Sequence, residues 1–180
     1  PDVVVFSTGS QPLIPDVPGM KKAKIADEVL LGNEDVGQEV VIIGGGLVGC
    51  ETALYLAKQG KKVKIVEALP QLEITLTTAG SALLTPEDGL FDKYGVEVHL
   101  NCKVVEVKDD TVIIEDSKGT KIEMKADSII NAVGRKSVLP EDLINIMKEQ
   151  GKKVIVLGDA KSPRKIKDAM HEGFNLALNI

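Results

Sequence analysis

Three consecutive glycines, Gly44-Gly45-Gly46, with Gly49 following, constrain this chain more than any other feature. They fall between an apolar segment ending at Ile43 and a stretch from Leu47 to Gln59 that has helical spacing and Gly60 as its stop. A second apolar segment, Lys62 to Val66, follows and ends at Glu67. Strand, glycine turn, helix and strand within about 30 residues make a βαβ unit. The unbroken Val/Ile runs call for parallel strands covered on both faces. In a Gly-x-Gly-x-x-Gly turn of this kind, Gly44 permits the tight turn, Gly46 lets backbone approach a pyrophosphate, and Gly49 lets helix pack on strand. The helix N-terminus then offers N–H groups and the positive end of its dipole. Glu67 stands where a carboxylate accepts both ribose hydroxyls of an adenosine. A dinucleotide is the expected ligand. The alternative is a glycine-rich turn in an unrelated α/β protein, with Glu67 merely solvated.

Cofactor choice follows from the same acid. Ala68-Leu69-Pro70-Gln71 include no Arg or Lys, so a 2′-phosphate would meet like charge with no cation to offset it, and NADH is expected over NADPH. The alternative is that Glu67 points to solvent and a distant lysine, Lys62 or Lys93, reaches the phosphate.

Elsewhere the chain alternates short elements with turns. Val3 to Phe6 reads as a buried strand, and residues 10–37, rich in Pro and Gly, as a linker between domains with a short helix or turn near Ala26 to Leu31. Thr85-Pro86-Glu87-Asp88 resembles a helix start, with Leu90, Phe91 and Tyr94 on its apolar stripe and Gly95 as the stop. Val96 to Leu100 alternates. The segments 104–107, 112–115 and 122–124 then follow at hairpin spacing as an antiparallel meander. Ser128 to Val133 and Val154 to Leu157 read as buried strands, Pro140 to Gln150 and Lys165 to Asn179 as helices. The expected fold class is α/β, a Rossmann-like three-layer FAD/NAD(P)-binding architecture. Strands 39–43, 62–66, 96–99 and 128–132 form its central parallel sheet, and the meander its third layer.

Composition excludes several function classes. The net charge of −5 removes the electrostatic case for nucleic acid or an anionic membrane. An aromatic content of 3% with no Trp leaves nothing for base-stacking platforms. Cys50 and Cys102 stand too far apart for a C-x-x-C pair, and buried free thiols are the expectation. With no apolar run of ~18 residues, a soluble cytoplasmic protein is expected. His99 and His171 lack partners at ligand spacing, so no metal site is expected. Glu51 reads as an acid in the first helical turn, favoured by the dipole. Gly158-Asp159 ends a strand ahead of a helix, and spacing leaves open whether Asp159 grips a ligand hydroxyl or caps that helix.

Four segments in order carry a family resemblance: Ser7-Thr8-Gly9-Ser10-Gln11-Pro12, Gly44 to Glu51, Asn131-Ala132-Val133-Gly134-Arg135, and Gly158-Asp159. Together they resemble the pyridine nucleotide-disulfide oxidoreductase superfamily, in which an NAD(P)-binding domain is inserted into an FAD-binding domain. The ending, Gly158-Asp159-Ala160 through Ser162-Pro163-Arg164-Lys165-Ile166 to His171-Glu172-Gly173, is similar to NADH:flavin oxidoreductases related to 2,4-dienoyl-CoA reductase and trimethylamine dehydrogenase. The first FAD fingerprint of that family is absent here, as are its FMN barrel, iron–sulfur cysteines and redox dithiol.

The resemblance implies three segments: 1–36, a remnant of the FAD domain plus linker; 37–135, the NAD domain; and 136–180, a C-terminal FAD-domain remnant. It implies NAD(H) and FAD as cofactors, the FAD site incomplete in this chain, and an N-terminal FAD/FMN/iron–sulfur region as missing partner. Self-association through surface that the truncation exposes is a further expectation. Gly44, Gly46, Leu47, Val48 and Gly49 would face the NAD pyrophosphate, Glu51 the nicotinamide end, and Glu67 the adenosine ribose. Ala132, Val133 and Gly134 would line the crevice. Gly158 and Asp159 would meet the FAD ribityl chain, and Ile166 at the last helix start would lie toward the isoalloxazine. The implied function is NADH-dependent flavoprotein oxidoreduction, hydride passing from NADH to FAD and onward to a centre outside this chain. The alternative is a structural ADP- or dinucleotide-binding module without hydride transfer. None of these residues is an acid, base or nucleophile in the chemistry, which belongs to the cofactors.

Overall fold

The computed structural model describes residues 1–72 and 89–180. They form two units: an inserted unit, Ile14–Gly134, and a terminal unit made of Pro1–Leu13 with Arg135–Ile180.

The inserted unit is built on a parallel sheet. Its strands are β3 (Lys24–Ile25), β10 (Ser128–Asn131), β4 (Glu39–Ile43), β5 (Lys62–Val66) and β6 (Glu97–His99), in the order β3-β10-β4-β5-β6. Side chains alternate across a strand, and both faces are covered here. Val40, Ile42, Val63, Ile65 and Ile130 pack with Cys50, Ala53, Leu56 and Ala57 of α2 (Leu47–Lys58), joined by Ala26 and Val29 of α1 (Ala26–Leu30). Val41, Ile43, Val66 and Ile129 pack on the other face against Val107, Val112, Ile114 and Met124. Those belong to the antiparallel meander β7 (Lys103–Val107), β8 (Thr111–Glu115) and β9 (Lys121–Lys125). This double cover is why β4 has no polar alternation after Glu39. Each Val or Ile so buried contributes about 1.5–3 kcal/mol of transfer free energy. A short helix α3 (Leu90–Tyr94) buries Phe91 and ends on Gly95 in the left-handed region at φ 67°. The expected helix start at Thr85 to Asp88 lies outside the described residues.

The expected linker is corrected. Only Ser10–Pro12 and Leu13 of residues 10–37 lie in the terminal unit, and the remainder belongs to the inserted unit. Met20, Ala23, Ala26 and Val29 are core residues, and β3 adds a fifth strand to the sheet. The Pro and Gly residues mark turns between very short elements rather than an excursion. Gly19 (φ 76°) lies so near the meander that a Cβ would stand 1.8 Å from the Val107 carbonyl oxygen, and the Val107 N–H donates to the Pro18 carbonyl at 2.8 Å.

In the terminal unit, β1 (Val3–Phe6) pairs in parallel with β12 (Lys153–Val156), Val3 lying opposite Lys153. β2 (Ser10–Pro12) pairs antiparallel with β11 (Arg135–Ser137), a ribbon the sequence does not announce. The helix α4 (Glu141–Glu149) lies against β12. The last helix, α5 (Ile166–Ala177), packs against a 3-10 turn at Gly158–Ala160, and none of its residues is buried. Among the described residues no helix is long and apolar enough to cross a membrane, and no group of three or more His, Cys, Asp or Glu is arranged to hold a metal. Cys50 and Cys102 are buried free thiols.

Candidate nucleotide-binding site

The carboxyl ends of β4, β5 and β10 converge, because β4 lies between the other two in the sheet. The chain crosses from β4 to β5 on one side and meets β10 on the other, the kind of switch point where open α/β sheets bind ligands. Gly44 leaves β4 at φ 108°, and a Cβ there would stand 2.5 Å from the Ala132 carbonyl oxygen at the end of β10. The turn is fixed by Gly44 N–H donating to Val66 O (2.9 Å) and by Ala132 N–H donating to Ile43 O (2.8 Å). Gly49 faces this turn: its Cβ would lie 2.0 Å from the Gly44 carbonyl oxygen, so helix and strand approach at glycine distance. Gly46 is extended (φ −70°, ψ 179°) and precedes α2 without any side-chain cap, so the helix begins with its N–H groups unsatisfied by a side chain. Leu47 and Val48 sit in that first turn, partly exposed.

Glu51 requires a correction. The helix begins at Leu47 and has no acid in its first turn. Glu51 is exposed and one turn further in, where the dipole argument loses force.

Glu67 follows β5 and is half-buried, not free in solvent. Gly45 N–H donates to its Oε2 at 2.6 Å and Leu69 N–H to its Oε1 at 2.8 Å. Neither lysine that could offset a 2′-phosphate attends it. Lys62 pairs with Glu39 (3.2 Å) at the opposite ends of β4 and β5, and the Lys93 ammonium lies 5.6 Å from the centre of the Tyr94 ring. Val133 N–H donates to Asn131 Oδ1 (3.2 Å), and Gly134, at φ 119°, has open space where a Cβ would stand. The sequence thus names Gly44, Gly46, Leu47, Val48, Gly49, Glu67, Ala132, Val133 and Gly134, and the structure gathers them at one sheet edge. Gly45 was overlooked as more than a spacer. A Cβ on it would meet Leu72 Cδ2 at 2.4 Å and Glu67 Cβ at 3.0 Å, and the third consecutive glycine was the available signal.

A second polar centre lies within the terminal unit. Gly158 (φ 64°) opens the turn that places Asp159. Ser10 Oγ donates to Asp159 Oδ2 (2.9 Å), Arg164 N–H donates to Oδ1 (3.2 Å), and Ser137 Oγ donates to the Asp159 carbonyl (2.8 Å). Arg135 Nε–H donates to Ser10 Oγ (2.8 Å). Asp159 does not cap α5, since the N-cap is Lys165 and its N–H donates to Asp168 (3.2 Å). Ile166, the first residue of that helix, is 81% exposed. Glu172 locks the turn to α5: it accepts from Gly158 N–H (2.8 Å), Lys161 Nζ (3.0 Å) and Arg164 (2.6 Å). The Arg164 guanidinium foremost, then the Gly158 N–H, hold its carboxyl down at about 2.

A parallel sheet with an uncapped helix N-terminus behind a Cβ-free turn, and a carboxylate one strand away, defines a dinucleotide-binding domain. The pyridine nucleotide-disulphide oxidoreductase family matches residues 2–165, and the chain belongs to that family. It is 36% identical to an NADH oxidase of Thermoanaerobacter brockii over all of this chain and 28% of that protein. It is 33% identical to a cinnamate reductase of Clostridium sporogenes over 99% of this chain and 26% of that protein. The structure of a 2-naphthoyl-CoA reductase in complex with 2-naphthoyl-CoA superimposes with a TM-score of 0.83 at 28% identity, covering all of this chain and 27% of that one. The chain therefore spans about a quarter of the length of these relatives. Membership in this family agrees with the NAD(H) and FAD that the resemblance implies.

Proposed function

We propose that this chain is the NADH-binding part, with a portion of the FAD-binding part, of a flavoprotein oxidoreductase that passes hydride from NADH to FAD and onward to a partner centre outside residues 1–180. The observation that carries this reading is the insertion itself: a unit with a dinucleotide turn, Ile14–Gly134, interrupts a second unit made from both ends of the chain. The inserted unit would hold NADH through the Gly44–Gly49 turn, the start of α2, Glu67 and the crevice residues Ala132 to Gly134. Asp159 would hold a flavin ribityl hydroxyl in the terminal unit. Two of its acceptor sites are taken by Ser10 and Arg164, and a carboxylate has about four. Bound flavin would supply the two-electron acceptor, taking hydride from the nicotinamide with a proton from solvent. The protein's part is to position and to exclude competing reactions.

The test is stopped-flow mixing of the full-length protein with NADH under anaerobic conditions. Bleaching of flavin absorbance with one NADH consumed per flavin supports hydride transfer. Persistent yellow flavin in a protein that retains tightly bound ADP would assign the inserted unit to structural nucleotide binding.

A further inference from the structure

We propose that Glu67 is a positioning residue for the glycine turn as well as an acceptor for the ribose: its carboxylate sets the backbone of the Gly44–Gly46 turn before any nucleotide arrives. The inference rests on the nucleotide-binding reading of the inserted unit and adds to it what holds the loop. Three successive glycines lose more conformational freedom on ordering than any other tripeptide, so a cradle made of them needs an external anchor. Gly44 is tied to Val66 by a backbone hydrogen bond, and Gly49 N-terminal packing fixes the far end. Between them, Gly45 N–H is held by Glu67 Oε2 at 2.6 Å, a short bond to a charged acceptor and hence one of the stronger kind. The Leu72 side chain closes on the same glycine, and Cys50 Sγ reaches its carbonyl at 3.5 Å.

The two duties do not compete. Gly45 and Leu69 each take one lone-pair site of the carboxylate, and of the roughly four that a carboxylate offers, those remaining suffice for the ribose hydroxyls. An ordered cradle spares the ordering cost that binding would otherwise meet. It follows that exchanging the acid for a residue with no side-chain acceptor loosens the turn that grips the pyrophosphate, and the loss falls on both nucleotides.

The test separates the two duties with amide exchange and with a ligand that has no ribose hydroxyls. In the ligand-free chain, Gly45 N–H should exchange at least tenfold faster in Glu67→Ala than in the native protein, while the amides of Val41 and Ile65 stay protected and report an intact fold. 2′,3′-Dideoxy-ADP, which gives Glu67 nothing to accept, should bind Glu67→Ala about tenfold more weakly. Glu67→Gln keeps an oxygen for the Gly45 N–H, so it should recover slow exchange and dideoxy-ADP affinity while still failing to favour NAD over NADP as the native acid does. Unchanged Gly45 exchange in Glu67→Ala, or undiminished dideoxy-ADP binding, overturns the proposal. A native chain that binds neither ADP nor its dideoxy form defeats the nucleotide reading, and the exchange of Gly45 then decides the anchoring role by itself.

Discussion

In the inserted unit, β4 buries Val40, Val41, Ile42 and Ile43 between a helix and a meander, whereas in the terminal unit the last helix buries nothing and turns Ile166, Met170 and Phe174 outward. Both units belong to one nucleotide-oxidoreductase architecture, yet they are held by different physics. The first is a sheet covered on both faces and stabilised by apolar burial. The second is a pair of two-stranded ribbons, β1–β12 and β2–β11, pinned by a polar network that runs through Arg135, Ser10, Asp159, Arg164 and Glu172. A two-stranded ribbon is marginal by itself, so the polar contacts there matter in a way that surface ion pairs on the first unit do not.

The contrast is broken most directly by a pair of truncations. Ile42→Ala should destabilise the inserted unit by about 2–5 kcal/mol, as large-to-small changes in closed cores do, while Phe174→Ser, at 66% exposure, should stay within about 0.5 kcal/mol. Urea unfolding of both variants compares them, and equal losses would show that the two units share one cooperative core. Next in size, Gly46→Val should abolish measurable ADP-ribose binding, a loss of at least about 10²-fold, because a side chain enters the point of closest approach to a pyrophosphate. Its φ of −70° admits any residue, so calorimetry should lose the binding heat while the melting transition remains cooperative.

NAD should bind native chain on the order of 10² more tightly than NADP, since the 2′-phosphate would face Glu67 without a compensating cation. Equal affinities would remove Glu67 from the ribose. The smallest effect concerns acid. Glu172 is held at about 2 against an ordinary 4.5, so its contribution is fully present above about pH 4.5 and fades as pH falls toward 2. Glu172→Gln should flatten that part of the acid-unfolding curve of the terminal unit, read by exchange at Gly158. A curve that keeps its native slope would mean that Arg164 and Lys161 serve the turn without Glu172.

What could be read from the amino acids follows the range of the interactions. The βαβ unit around Gly44 and Glu67 was legible because each signal is local: apolar runs, glycines at fixed offsets, an acid at a strand end. Residues 14–36 were misread because their few core residues, Met20 and Ala26 among them, are buried only by docking to the sheet and meander, and β3 is too short to show a period. The ribbon β2–β11 is polar on both strands, Ser10-Gln11-Pro12 against Arg135-Lys136-Ser137, and no alternation betrays it. Of the site, the glycines and Glu67 were visible; the dual contact of Glu67, the crowding at Gly45 and the grip of Glu172 on Gly158 arise from contacts across the fold, which spacing does not encode. Glu51 was misplaced by counting and not by a boundary: α2 starts at Leu47 as the spacing has it, so the acid stands fifth in the helix, past the first turn.

The pairing of Val3 with Lys153 also sets an order of events in time. Within these residues, β12, the strand that pairs with β1, follows the whole of Ile14–Gly134 in the chain. Were that stretch still flexible, closing it would cost roughly 4 kcal/mol in chain entropy by the logarithmic dependence on length. Once folded, it brings the return strand within reach at little further cost. Pairing of β1 with β12 is therefore cheapest after Ile14–Gly134 has folded, so folding of the inserted unit should precede closure of the terminal ribbon.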